Sequence, residues 1–194
     1  GVGSGTTIEN VEIVSNQDDG IEWFGGAVSV SNVVVWNTGD DAIDTDQAWS
    51  GTLDNFVIVN PGDECFELDG GEGNFNNMHT ITNGSVSAQG AEGLADLDDK
   101  GAAGTVGNSY VDMSNIYFFD VSYGQDFDDN PADLTAAGFE LTVPSDTLEI
   151  SDFFVDGVAD AVTIVADGAN TVGADMTKFT DWSWAAVSGA LDGF

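Results

Sequence analysis

One short pattern recurs along the chain and constrains its fold more than any other feature. It is an apolar residue, any residue, Asn or Asp, an apolar residue, any residue and an apolar residue. Clear copies are IENVEI, VSNVVV, LDNFVI and MSNIYF, and looser copies are ITNGSV, ISDFFV and FTDWSW. The third position of the copies is Asn10, Asn32, Asn55, Asn83, Asn115, Asp152 and Asp181. The first copies are 22 and 23 residues apart, which is typical of one coil of a β-solenoid.

The pattern predicts an all-β fold, a right-handed parallel β-helix (solenoid) of about six to seven coils with loop insertions. Residues 1–194 are expected to form a single domain of this kind. The recurrent Asn falls where a strand should bend, and its amide can bond the equivalent Asn one coil away. A β-sandwich also contains short strands, but it does not require the same polar residue in each. One short helix is expected after Asn130, with Pro131 in its first turn and Gly138 as its stop.

An acidic register follows the repeat asparagines at a nearly fixed distance. The segments are DDGIEWF, DDAIDTD, DECFELD, EGLADLD and GQDFDDN. Their fourth place is apolar and is expected in the core. Strand alternation then points the fifth place to solvent. That fifth place is acidic in every segment: Glu22, Asp44, Glu67, Asp96 and Asp128.

Stacked coils would place these carboxylates roughly 4.8 Å apart, where like charges repel by about 1 kcal/mol in water. Cations bridging successive coils would relieve the repulsion, and Ca²⁺ fits best because it accepts several oxygen ligands in loose geometry. High ambient salt, or simple solvation of an acidic surface, is the alternative. The candidate metal ligands are Asp18, Asp19, Glu22, Asp40, Asp41, Asp44, Asp46, Asp63, Glu64, Glu67, Asp69, Asp96 and Asp98.

The charge balance limits the partners of the chain. Acidic residues number 35 against 2 basic ones, Lys100 and Lys178, and the net charge is −33. Nucleic acid and anionic membranes are therefore excluded as partners, because both require Lys and Arg. A hydrophobic fraction of 42% argues against disorder, and no apolar run is long enough to span a membrane. The lone cysteine, Cys65, is expected to be structural.

Three stretches resemble a known group of proteins: GVGSGTTIENVEIVSNQDDGIEWFGG, GDDAIDTDQAWSGTLDNFVIV and TVGADMTKFTDWSWA. The chain is similar to secreted or surface-anchored proteins of Bacteroidota that are predicted right-handed parallel β-helices and often lipoproteins. No reaction is established for that group. The resemblance implies an extracellular or cell-surface location. It also implies that the chain is the C-terminal part of a longer exported protein, anchored through a preceding segment.

Catalysis on polysaccharides is one alternative that the fold suggests. Lyases of this fold typically abstract a proton with Arg or Lys, but Arg is absent. Lys100 lies in a Gly-rich insertion and Lys178 in the predicted last coil, so neither is expected to face the acidic register. Asp44 and Glu67 would be neighbours on adjacent coils, close to the separation of a retaining glycosidase pair. The only histidine, His79, is interpreted as a surface or satisfied residue. The alternative hypothesis is therefore a polysaccharide hydrolase or lyase that uses the stacked carboxylates.

A binding module is the favoured function. Trp49 is expected to be exposed beside the acidic turns and, with Gln47, to bind a ligand such as a sugar ring. Trp23 is expected to pack, and Trp182 and Trp184 to close the end of the core. The sequence thus predicts an extracellular structural, adhesive or glycan-binding module with an acidic Ca²⁺-binding face. The alternatives are the polysaccharide enzyme and a halophile surface protein without a specific metal site. An open solenoid end also predicts end-to-end self-association.

Overall fold

The chain forms a parallel β-helix, as the repeat predicts. The computed structural model describes residues 1–98, 106–128, 133–154 and 156–194. Every strand pair among these described residues is parallel. The strands are β1 (Thr7–Val14), β2 (Ile21–Phe24), β3 (Ser29–Trp36), β4 (Ile43–Asp46), β5 (Thr52–Val59), β6 (Phe66–Leu68), β7 (His79–Ser87), β8 (Asp96–Leu97), β9 (Val111–Phe119), β10 (Leu134–Ala137), β11 (Phe139–Leu141) and β12 (Val162–Ile164).

Two sheets wrap around one core. An 8-stranded sheet has the order β1-β3-β5-β7-β9-β11-β12, with β10 also paired to β9. A 4-stranded sheet has the order β2-β4-β6-β8. Long and short strands alternate from β1 to β8, so each of the first four coils contributes one strand to each sheet. The seven positions along the larger sheet agree with the predicted number of coils.

The repeat asparagines form the corner that bends each long strand. Asn10, Asn32, Asn55, Asn83 and Asn115 all have φ between 56° and 61°, a left-handed conformation that Asn adopts more readily than most residues. The Asn32 amide donates to Asn10 Oδ1 at 2.9 Å, and the Asn55 amide donates to Asn32 Oδ1 at 2.8 Å. The predicted ladder is therefore present. It is interrupted between Asn55 and Asn83, whose amide donates to Asp54 Oδ1 at 2.7 Å instead.

A second corner repeats the same solution where the long strands end. Asn37 and Asn60 have φ of 52° and 55°, and the Asn60 amide donates to Asn37 Oδ1 at 2.6 Å. Between the corners the inward side chains are apolar and fully buried. Phe118 lies at the centre of an aromatic cluster, with Phe139 and Phe154 at ring-centroid distances of 5.6 and 5.5 Å. Stacked coils thus share one continuous core.

Residues 173–194 do not form a further coil. This segment, the C-terminal strap, lies against the outward side of the larger sheet beyond the asparagine corner, where Phe179, Ala185 and Leu191 bury Val34 and Val57. The prediction that the copies at Asp152 and Asp181 form coil corners is therefore wrong. Asp152 ends a 3-10 turn (Ile150–Asp152), and Asp181 lies in the strap. These copies lack the Asn that favours a left-handed corner.

Two further expectations are wrong. The described residues include two four-residue helices, α1 (Asp156–Ala159) and α2 (Trp184–Val187). Trp184 opens α2 in the strap and is 61% exposed, so the strap tryptophans do not close the core. Trp182 packs with the residues between strap and sheet instead. The helix expected after Asn130 is replaced by β10 over Leu134–Ala137, because this stretch pairs with β9, while its start lies outside the described residues. None of the described helices is long and apolar enough to cross a membrane.

Candidate functional site

The fifth places of the acidic register form one column on the smaller sheet. Glu22 pairs with Asp44, Asp44 with Glu67 and Glu67 with Asp96 in the parallel register of β2, β4, β6 and β8. Residues separated by 22 or more positions in the chain are therefore direct neighbours. The predicted column of like charge is confirmed.

The turns that precede these strands add a second layer of carboxylates. Backbone bonds stack the turns, since Gly20 N donates to Asp41 O at 2.8 Å and Ala42 N donates to Glu64 O at 3.0 Å. Asp41 Oδ1 also accepts from Glu64 N at 2.8 Å. A Cβ on Gly20 would lie 2.5 Å from Ala42 O, so glycine permits this close stacking. The pairs of acidic residues that open the first three segments are thereby held beside the column.

Four groups of three carboxylates have ligand oxygens within 4.8 Å of one another. They are Asp18, Asp19 and Asp40; Asp19, Asp41 and Glu67; Asp19, Glu22 and Asp44; and Asp40, Asp41 and Asp63. We call these eight residues the acidic centre. Asp19 belongs to three of the four groups, so it joins the strand column to the turns. Among the described residues, the groups do not include Asp46, Glu64, Asp69, Asp96 and Asp98, which remain predicted ligands only.

Asp44 is one of the two carboxylates of the acidic centre that are almost fully buried, the other being Asp41. Its side chain is 7% exposed, and its Oδ1 is buried without a hydrogen-bond partner. Burial, followed by repulsion from Glu22, raises the pKa of Asp44 to about 8. The strand alternation that points this residue outward is therefore correct, but the neighbouring acidic turns cover it. The Asp44 and Glu22 carboxyls also share a hydrogen bond, so either a proton held between them or a bound cation would offset the charge of this buried pair.

Other carboxyls of the acidic register share this environment. Burial, together with a hydrogen bond to Asp41 and repulsion from it, raises the pKa of Glu67 to about 9. Burial and the neighbouring Asp63 raise the pKa of Glu64 to about 8. Burial, then repulsion from Asp41, raises the pKa of Asp19 to about 6. The charges that act on these groups are all negative, so a bound cation would be the first positive charge among them.

The oxygen-only chemistry of the acidic centre decides which metal it could hold. Carboxylates without His or Cys suit hard cations, and Ca²⁺ takes 6–8 oxygen ligands where Mg²⁺ requires a stricter octahedron. Grouped carboxylates from several stacked turns offer many oxygens in an irregular arrangement. The residues present therefore fit Ca²⁺ better than a transition metal.

The exposure expected for Trp49 is wrong. Trp49 is 1% exposed, its Nε1 donates to Val28 O at 2.9 Å, and its ring stacks on Trp23 at 4.5 Å. His79 packs on the other side at 5.1 Å, and burial lowers the pKa of this histidine to about 3. Trp49 therefore fills the core and offers no surface to a sugar ring. Gln47, two residues earlier, is partly buried and has a φ of 55°. It cannot form the predicted ligand site together with Trp49, because the Trp49 ring is buried.

A polar groove at the asparagine corner has no counterpart in the sequence predictions. It is a cavity of about 310 Å³ lined by Asn32, Asp54, Asn55, Asn83, Gly173, Asp175 and Lys178. Its second wall is the strap, which sequence reasoning placed in a separate coil. The outward apolar residues Val34 and Val57 were the available signal, because apolar residues on the outer side of a strand need a covering segment.

The parallel coils define the class of protein: a parallel β-helix. The family model described as a pectate-lyase-like β-helix domain matches residues 1–190. The chain belongs to this family. No curated protein and no solved structure gives a significant match to the chain.

Proposed function

We propose that this protein is an extracellular structural or glycan-binding module whose acidic centre binds Ca²⁺. The single observation that carries the proposal is Asp44: its buried Oδ1 has no hydrogen-bond partner, and its carboxylate forms a group of possible metal ligands with Asp19 and Glu22. A solvated acidic surface would leave its carboxylates in water, whereas this oxygen is enclosed. Membership in a family of pectate-lyase-like β-helices supports the glycan-binding part of the proposal.

Calcium titration tests the proposal directly. Isothermal titration calorimetry of the wild type should detect saturable Ca²⁺ binding that becomes tighter as pH rises, because protons compete for the same carboxyls. Asp44→Asn should weaken binding by about tenfold or more, and the exposed Asp146→Asn serves as a charge-matched control. Equal binding by the two variants would contradict a centre built around Asp44.

A second candidate function is hydrolysis of a polysaccharide by the same column. It is favoured by the register that pairs Asp44 with Glu67, because two neighbouring carboxyls about 5 Å apart suit a retaining mechanism. One carboxyl of the pair would remain protonated as the general acid and the other would act as nucleophile. Release of reducing ends that is lost in both Asp44→Asn and Glu67→Gln, with unchanged melting temperature, would establish the enzyme.

Location and assembly complete the proposal. The extracellular or cell-surface position and the lipoprotein origin follow from the sequence resemblance and stay predictions, tested by fractionation of cells that produce the full protein. Association of coils end to end through the outer edges of β1 and β2 is also a prediction. Light scattering after size exclusion should detect dimers or longer assemblies whose size depends on protein concentration.

A further inference from the structure

We propose that the outer surface beside the asparagine corner binds an uncharged polysaccharide chain. We call this surface the polar shelf; it comprises residues 6–8, 29–31, 52–55, 80–83 and 173–178. The shelf belongs to the 8-stranded sheet and the strap, whereas the acidic centre belongs to the 4-stranded sheet and the turns before it. The proposal shares with the proposed function only the class of ligand and does not depend on a cation.

The deepest part of the polar shelf is a formed cavity. It measures about 310 Å³ and lies between the asparagine corner and the strap. Ligand sites in proteins begin at roughly this size. The strap wall is fixed in place, because Asp175 N donates to Asn55 Oδ1 at 2.6 Å and Ala174 N donates to Ser85 Oγ at 3.0 Å. The cavity occurs where the asparagine ladder is interrupted, so Asn83 and Asn55 face it from separate coils.

A second depression of about 370 Å³ adjoins the cavity, and Asp54 lines both. The depression is lined by hydroxyl residues, including Ser29, Ser31 and Thr52, together with the apolar Ile8 and Val30. The parallel register aligns Ser29 with Thr7 and Thr52 with Thr80, so hydroxyls repeat from coil to coil. The repeat is about 4.8 Å, close to the length of one sugar ring in an extended chain. Successive coils therefore offer hydrogen bonds to successive sugars.

The side chains of the polar shelf suit sugar hydroxyls, which both donate and accept. Serine, threonine and asparagine side chains also do both, the Asp54 carboxylate accepts, and Lys178 donates. A peptide is a poorer match over most of the shelf, because β3, β5 and β7 are already paired on both sides and leave no free edge for an added strand.

Charge decides which polysaccharides fit. The chain has a net charge of −33, and Lys178 is the one basic side chain among the described residues. A uronic acid polymer would meet a repulsive field over most of the surface, and Lys178 itself lies beside Asp175. An uncharged chain loses nothing to that field. The polar shelf is therefore suited to neutral glycans.

Affinity electrophoresis and calorimetry test this inference with named probes. Mixed-linkage β-glucan, xylan and galactomannan are the neutral polysaccharides, and polygalacturonate is the charged comparison. The wild type should bind at least one neutral polymer equally in Ca²⁺ and in EDTA. Asp54→Asn with Lys178→Gln should lose about tenfold or more in affinity, because two charged hydrogen-bonding groups are removed. Lys178→Gln alone changes an exposed side chain and should reduce the affinity for the neutral polymer by less than the double variant does.

The controls separate this inference from the cation proposal. Asp146→Asn removes a carboxylate from an exposed turn and should bind the neutral polymer as the wild type does. Calcium binding by the Asp54→Asn, Lys178→Gln double variant should be unchanged. Three results would overturn the polar shelf as a glycan site: no binding of any neutral polymer, unchanged affinity in the folded variants, or neutral-polymer binding that disappears in EDTA.

Discussion

The carboxylate of Asp44 lies directly opposite that of Glu22 on the neighbouring strand, and Asp44 Oδ1 is buried without a hydrogen-bond partner. Chain positions 22 residues apart are thus brought into contact by one coil of the solenoid. Two carboxyls in this arrangement cannot both be ionised at low cost unless a cation lies between them. The predictions below follow from this relationship and from the segments that hold the coils in register.

Substituting Asp44 should change stability only where the carboxyl would be ionised. At pH 5 the wild-type group is protonated, because its pKa is raised to about 8, so Asp44→Asn should be nearly neutral. At pH 9 in EDTA the variant should be more stable by about 2 kcal/mol, since it lacks the buried charge. Urea unfolding at the two pH values measures this, with Asp146→Asn as control. Equal effects of Asp44→Asn at both pH values would contradict the assignment.

The stability of the cation-free protein should fall as pH rises. Asp19, Asp44, Glu64 and Glu67 have folded-state pKa values raised to about 6, 8, 8 and 9, above the ordinary values of the unfolded chain. The folded state therefore binds more protons than the unfolded state between about pH 4 and pH 9, and the stability that these carboxyls contribute below that window is lost through it. Melting temperatures in EDTA should decrease across this range. A rise over the same range would contradict the raised pKa values.

The strap should depend on Glu12 of β1. Its carboxylate accepts hydrogen bonds from Ser183 Oγ at 2.6 Å, Trp184 N at 2.8 Å and Ala185 N at 3.0 Å, which caps the start of α2. Glu12→Ala should cost about 2 kcal/mol of unfolding free energy and increase hydrogen exchange in the strap. Glu9→Ala, an exposed change on the same strand, is the matched control. If both variants lose the same stability, the cap is not what holds the strap.

The asparagine corner should be most sensitive at Asn55. Asn55→Ala loses the hydrogen bond to Asn32 Oδ1 and the hydrogen bond from Asp175 N. It also forces alanine to adopt the φ of 60° found at this position, which alanine disfavours. We expect a cost of about 3 kcal/mol. Asn55→Gly removes the bonds but keeps the conformation and should cost less. Asn74→Ala, in an exposed loop, should be nearly neutral in the same chemical denaturation experiment.

The coils were predictable because the same residue type, asparagine, occupies the left-handed corner of successive coils. Asn tolerates a left-handed φ, and its amide can both donate and accept along the stack. The recurrence of Asn10 and Asn32 in the sequence therefore predicts the corner. The second ladder, from Asn60 to Asn37, had the same signal five residues later and was missed. The acidic column followed from register alone, because alternation fixes which side each residue faces.

The remaining features depend on contacts between distant segments. The strap was mistaken for a coil because FTDWSW imitates the repeat, although its Asp181 is not an asparagine. Trp49 follows an acidic turn and reads as a surface residue, yet a stack with Trp23 and a bond to Val28 O place it in the core. The burial of Asp44 is likewise a property of neighbouring turns, which local sequence does not encode.

Thermal unfolding with millimolar CaCl₂, compared with EDTA and with molar KCl, tests the central claim most directly. If the acidic centre binds Ca²⁺, the melting temperature at pH 8 should rise sharply with CaCl₂, remain low in EDTA, and respond far less to KCl, since specific binding stabilises at concentrations where screening is weak. Stabilisation by molar KCl with no preference for Ca²⁺ would contradict the claim and identify the acidic residues as an adaptation to high salt.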